Sequence, residues 1–238
     1  MRSRRLAAAC AFVLLAAGCR RGPSVGTFPG APVILISVDT LRSDHLPAYG
    51  YTGVTTPALD ALRKDSILFE RAWSHAPLTL PSHASILTGL EPSGHGIHDN
   101  LGYRLRAGVP TLAGLLKAQG YETGGAVSCF VLKAESGISR GFDFYDDAVE
   151  PAEGQAALGR VQRAGPDTEA RLESWLTARP AGGKTFAFLH LYEPHTPYEP
   201  PEPFKTRYAA HPYDGEIAEA DAIIGKFLAF LKARDLYE

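Results

Sequence analysis

The sequence has little cysteine, no long apolar span and no excess of charge. Three cysteines occur in 238 residues, at Cys10, Cys19 and Cys129. Two fall in the N-terminal segment, which leaves Cys129 alone in the body of the chain. That excludes an internal disulfide there, and it excludes a zinc site built from several cysteines. The apolar run Leu6 to Gly18 is too short to cross a bilayer. A formal net charge of -2 gives no reason to propose nucleic-acid binding. With 45% hydrophobic and 21% charged residues the composition is that of a globular protein, so disorder is not the default. The length allows one sizeable core.

The chain opens on a targeting segment. Arg2, Arg4 and Arg5 precede the Ala-rich apolar run, in the form of a signal peptide. The run ends Leu15-Ala16-Ala17-Gly18-Cys19, which resembles a bacterial lipobox. The resemblance implies that residues 1–19 are a lipoprotein signal and that Cys19 is the lipidated first residue of the mature chain. An ordinary secretory signal cut nearby, with Cys19 incidental, remains an alternative. Either way the protein leaves the cytoplasm. The expected location is the bacterial cell envelope, with a lipid anchor in the membrane and the protein facing the periplasm or exterior. Residues 20–30, with Gly and Pro, read as a tether, and residues 31–238 as one folded domain.

Within that domain apolar strands alternate with helical patterns. Pro32–Val38 is a continuous apolar run rich in β-branched residues, as expected of a central parallel strand buried on both faces. Tyr121–Ser128 and Lys184–Leu191 read as further strands, and Ile67–Trp73 as a short strand or extended piece. Thr56-Pro57 starts a helix running to about Asp65, and Thr111 caps one that closes at Gly120. Asp167 is the expected cap of a helix with Leu172, Trp175 and Leu176 inward, and Tyr213–Leu236 has helical periodicity. Glu150–Gly165 and the Pro-rich Pro200–Pro212 read as loops. The alternation indicates an α/β fold, a mostly parallel sheet flanked by helices.

The candidate chemistry centres on Ala76–Tyr103. Thr79 stands two residues before Pro81, at the start of a short helix that ends at Gly89. A hydroxyl there faces unpaired N–H groups and the positive end of the dipole, so an anion or alkoxide is favoured. It is a candidate nucleophile, although a Thr at this place also serves as a plain cap. Asp39 ends the first strand, where ligands gather in open α/β sheets, and is a candidate metal ligand. His195 follows the end of the Lys184–Leu191 strand, and its imidazole suits metal binding or proton transfer.

Thr79-Leu80-Pro81-Ser82-His83 followed by Leu87-Thr88-Gly89 resembles the signature of the sulfatase branch of the alkaline phosphatase superfamily. Thr79, Thr88-Gly89, His95-Gly96-Ile97 and Asp99-Asn100 are also similar to nucleotide pyrophosphatase/phosphodiesterases, which use a Thr nucleophile. The resemblance implies a sulfatase-like mostly parallel sheet, and a hydrolase of sulfate or phosphate esters that works through a covalent Thr79 intermediate. It implies Thr79, Asn100 and His195 as catalytic residues, with Asn100 donating to a non-bridging oxygen. It implies Asp39, Thr40 and Thr79 at a divalent metal, with zinc or manganese favoured over calcium because carboxylates are few. His83 stands where sulfatases have Arg, and either contacts substrate or has no chemical role. Neither His95 nor His98 is assigned a role.

Three departures bear on this. Thr40 replaces a second Asp. Ala126–Phe130 lacks the Lys and His of the sulfatase Gly-Lys-x-His element, and Cys129 there reads as a small buried residue. The family's later Asp-His-Gly or Asp-Asn-Gly metal motif does not occur after Tyr213–Leu236, so the C-terminal portion of the fold is expected to be missing. Thr79 also carries a methyl group and cannot become the formylglycine aldehyde of sulfatases. The expected substrates are therefore small-molecule, glycan or lipid esters of either acid. A headgroup phosphotransferase and a non-catalytic glycan-binding lipoprotein are the rival readings.

Overall fold

The computed structural model describes residues 27–150, 161–181 and 183–237. The proposed signal, the lipobox Cys19 and most of the tether lie outside the described residues. Strands β1 (Val33–Val38), β2 (Glu122–Ala126), β3 (Phe144–Asp146) and β4 (Thr185–Leu191) form one parallel sheet in the order β1-β4-β2-β3. The helices are α1 (Pro57–Lys64), α2 (Thr79–Thr88), α3 (Pro92–His95), α4 (Leu112–Ala118), α5 (Gly165–Thr177), α6 (Phe204–Arg207) and α7 (Pro212–Ala233). Among the described residues no helix is long and apolar enough to cross a membrane.

Side chains alternate across the sheet with the strand period of two, and each face has its own helical layer. Phe186 and Phe188 of β4 pack with Leu80, Ala84 and Leu87 of α2 and with Ala113 of α4. Ala187, Leu189 and Leu191 face the other way, onto Leu172 and Leu176 of α5 and Ile223, Ile224 and Phe227 of α7. Gly124 of β2 is required by this second layer. A Cβ there would lie 2.6 Å from the Trp175 indole of α5, too close for any side chain.

The strand ranks differ from the sequence reading. All seven residues of β4 are buried, whereas all six of β1 are half-buried. Among the described residues β1 pairs on one side, with β4, and β4 takes the inner place beside β2. An apolar run signals burial but does not say which neighbours supply it. Ile67–Trp73 forms no strand, and Ile67, Phe69 and Trp73 are each at least 70% exposed.

Two helix caps also come from elsewhere in the chain. Thr56 makes no side-chain cap bond; the Asp221 carboxylate of α7 instead accepts from the Ala58 and Leu59 N–H groups. Asp167 sits inside the first turn of α5, and Glu193 accepts from the Gly165 N–H at 2.7 Å. Thr111 caps α4 as expected, accepting from Gly114. A carboxylate from another element satisfies orphan N–H groups as well as a local hydroxyl does, but local sequence does not reveal it.

Candidate active site

At the carboxyl ends of β1 and β4 the layer beneath α2 turns from apolar to polar. Ser37 pairs with His190 in the sheet register, and the Asp39 N–H extends the ladder to the Leu191 carbonyl at 2.9 Å. Asp39 follows β1 directly and is 7% exposed. The Thr79 hydroxyl, at the first residue of α2, donates to Asp39 Oδ2 at 3.1 Å. Burial alone pushes the Asp39 carboxyl up. The neighbouring His190, then His83 and the Thr79 hydrogen bond, outweigh it and hold the group below its ordinary value. Asp39 is therefore an ionised acceptor that orients the hydroxyl.

The N-terminus of α2 is less open than its sequence implies. Pro81 has no N–H, and the Leu80 N–H donates to Asn100 Oδ1 at 2.9 Å. Among the described residues the Thr79 N–H is the one left without an acceptor in that first turn, since Ser82 bonds to the Leu78 carbonyl. The Leu80 bond has a second consequence. An N–H can bond only the carbonyl end of an amide, so the Asn100 NH2 is the end left for a ligand. Gly89 at φ 69 closes the helix, as expected for a left-handed cap.

His83 is spoken for within the protein. Its Nδ1 lies 2.7 Å from the Thr79 carbonyl and must donate to it, so Nε2 accepts from the Ser37 hydroxyl at 2.8 Å. Burial first, and then the neighbouring His190, lowers its pKa to about 4, so the ring is neutral near pH 7. His83 lines the cleft with both ring nitrogens bonded within the protein, which is the internal one of the two roles its sequence leaves open. The ring holds the first turn of α2 against β1. His95 has a similar fate: its Nδ1 accepts from Ile97, and its Nε2 meets Ser85.

His190 was not singled out from sequence. It lies inside the apolar run of β4 and is fully buried. Its ring meets His83 edge-on with centroids 4.9 Å apart. The Ser128 N–H donates to Nδ1 at 3.3 Å, which places the ring proton on Nε2. Nε2 has no hydrogen-bond partner and faces Asp39 Oδ2 at 3.7 Å. The available signal was position: Phe186, Phe188 and His190 alternate onto the same face as Asp39.

An open cleft of about 470 Å³ lies over this polar layer. Asp39, Thr40, Thr79, Ser82, Asn100 and His195 all line it. His195 is half-buried and stacks on Tyr192 with centroids 4.3 Å apart; its Nδ1 donates to the Thr196 carbonyl at 2.8 Å. Thr40 adopts φ 51, a left-handed conformation rare for a β-branched residue. Its hydroxyl donates to the Pro194 carbonyl at 2.6 Å, which ties β1's end to the His195 loop. The spare lone pairs of that oxygen are its only means of touching a cation.

The donor set fits a divalent cation on the cleft side, where an ionised carboxylate meets the Thr79 hydroxyl. On the buried side, ligand-type atoms of Asp39, Cys129 and His190 lie within 4.8 Å of one another. There burial, and then the Asp39 charge, pushes the Cys129 thiol far above its ordinary value, and His190 presents a protonated nitrogen. A cation on that side would have to displace both protons, whereas Asp39 and Thr79 offer oxygens on the cleft side directly.

These features match known proteins over most of the described chain. The rat (Rattus norvegicus) steryl-sulfatase is 39% identical over 106 residues, covering 40% of this chain and 18% of that protein. The Escherichia coli (strain K12) protein named as transferase YhbX is 29% identical over 213 residues, covering 84% of this chain and 35% of its own. The solved phosphonate monoester hydrolase of Agrobacterium radiobacter shares the fold with a TM-score of 0.69 at 20% identity, over 87% of this chain and 60% of that one. The chain spans between about a fifth and three fifths of the length of these proteins. A family model described as Sulfatase matches residues 32–238, and by that match the chain belongs to the sulfatase family of the alkaline phosphatase superfamily.

Proposed function

We propose that this chain carries the nucleophile half of a hydrolase of sulfate or phosphate esters, acting through a covalent ester on Thr79. The observation that carries the reading is the Thr79 hydroxyl at the start of α2, held 3.1 Å from an ionised, buried Asp39. Thr79 Oγ1 gives its proton to Asp39 and forms a bond to sulfur or phosphorus as the bond to the leaving alcohol breaks. The Asn100 NH2 and the Thr79 N–H hold the oxygens of the transferred group. The doubly protonated His195 ring hands its Nε2 proton to the leaving oxygen; water, giving a proton back to His195, then cleaves the Thr ester, and the Thr79 oxygen recovers its proton from Asp39. A divalent cation bound at Asp39 and Thr79 would supply Lewis-acid stabilisation; its donors favour zinc or manganese. His83 and His190 are positioning residues, one for α2 and one for Asp39.

Phosphorus esters are the better-supported substrates, because Thr79 cannot form an aldehyde hydrate to expel sulfate. Transfer to an acceptor other than water is the second reading, favoured by the YhbX similarity over 84% of the chain. The lipobox at Cys19 would hold the enzyme at the cell envelope. The test uses the full-length protein on aryl sulfate and aryl phosphodiester, with Thr79→Ala as control. Phosphodiester hydrolysis lost in Thr79→Ala supports the reading. Equal activity of the variant overturns it.

A further inference from the structure

A second cleft, also of about 470 Å³, shares Asn100 with the first, and Leu80, next to Thr79, lines it. Two other clefts, around Tyr198–Pro212 and around Thr55–Ala58, share no residue with the site. The two clefts meet at Asn100, whose Oδ1 accepts from the Leu80 N–H, so a group held by the Asn100 NH2 lies at the junction of both. Its walls are of mixed chemistry. Leu101, Tyr103 and Phe130 offer apolar faces, and the first two are at least 40% exposed. Lys133 is largely neutralised, lying 3.0 Å from Glu150 and over the Phe130 ring. Arg104 is different: among the described residues it has no carboxylate or carbonyl partner, although it lines the cleft.

We propose that this cleft is the subsite for the leaving alcohol, and that Arg104 selects alcohols that carry a ring and a further anionic group. The inference rests on the hydrolase reading above for its reaction, but not for its ligand. A guanidinium fork without an internal partner is matched by a carboxylate or a second sulfate, through two parallel hydrogen bonds. The aromatic and aliphatic walls suit the ring that bears it. A neutral alcohol would fill the walls and leave Arg104 solvated.

The full-length protein is tested with paired esters, phenyl and 4-carboxyphenyl, of sulfate and of methyl phosphate. The readout is discrimination, the ratio of kcat/KM within each pair. The wild type favours the carboxylated ester, and Arg104→Gln collapses that ratio roughly 10- to 100-fold, chiefly through KM. A ratio unchanged in Arg104→Gln overturns the proposal. A separate calorimetric titration measures 4-hydroxybenzoate against phenol on Thr79→Ala protein, where no turnover is needed. Tighter binding of the acid, lost on adding Arg104→Gln, supports the subsite even if neither ester is hydrolysed. Equal binding of the two overturns it. Inactivity of the wild type on all esters would strike the hydrolase reading alone.

Discussion

The two faces of β1 and β4 begin alike and end differently. On the α5 and α7 side the strands stay apolar to their last residues, with Ile34, Ile36, Val38, Leu189 and Leu191 all in one cluster. On the α2 side Val33, Leu35, Phe186 and Phe188 are followed by Ser37, His190 and Asp39. The same two strands thus serve packing on one face and place polar groups on the other. Each buried polar group there needs a partner, and most have one: His83 binds Ser37 and Thr79, and Asp39 binds Thr79. The apolar face supplies burial that the polar face gives up.

The sharpest way to break this division is to remove one residue from each face. Thr79→Ala is expected to lower kcat roughly 10³-fold or more while costing only about 1 kcal/mol of stability, for the hydrogen bond to Asp39. Steady-state kinetics and calorimetry on the same sample check both halves. Phe227→Ala on the far face should do the reverse. Its fully buried ring leaves a cavity, with an expected cost of about 3–5 kcal/mol in denaturant unfolding and little change in kcat of the folded fraction.

Asn100 joins the two roles and allows a finer cut. Asn100→Ala loses the acceptor for Leu80 and the free NH2 together. Stability should fall by about 1 kcal/mol and activity by roughly 10²-fold. Asn100→Asp retains an acceptor for Leu80 but no donor, so it should keep the stability and still lose the activity. Equal activity of the Asp variant and wild type would remove the NH2 from the mechanism.

The smallest effect lies in the acidic group where the β4 exit meets α7. Burial first, then Glu193 and Glu216, raises the Glu219 carboxyl to about 8. A carboxyl raised on folding contributes stability below about pH 4.5, and that contribution is lost as pH rises through about 8. Glu219→Gln should therefore flatten the stability profile across that window and be the more stable form at its upper end. Denaturant midpoints at both ends of the window measure it.

Much of the fold is legible from local pattern. Helix starts marked by Pro and stops marked by Gly fall within a few residues of the observed ends of α1, α2 and α4. What the sequence does not show is carried by distant partners. Asp221 caps α1 from more than 150 residues away, and Glu193 caps α5. β1 is half-buried and β4 fully buried among the described residues, a difference that two similar apolar runs do not announce. In the site, the motif residues gather around one cleft, but His83 is recognised as internally bonded only when Ser37 is placed beside it. His190 is hidden because a histidine within an apolar strand carries no local signal of the carboxylate it will face.

The central claim is the covalent ester on Thr79, and rapid quenching during turnover tests it most directly. The full-length protein is quenched in acid with excess phosphodiester or sulfate ester, digested, and its Thr79 peptide weighed by mass spectrometry. The account predicts a phosphoryl or sulfuryl group on that peptide during turnover, located at Thr79 and gone once substrate is exhausted. Turnover with an unmodified Thr79 peptide, together with an active Thr79→Ala variant, would contradict it.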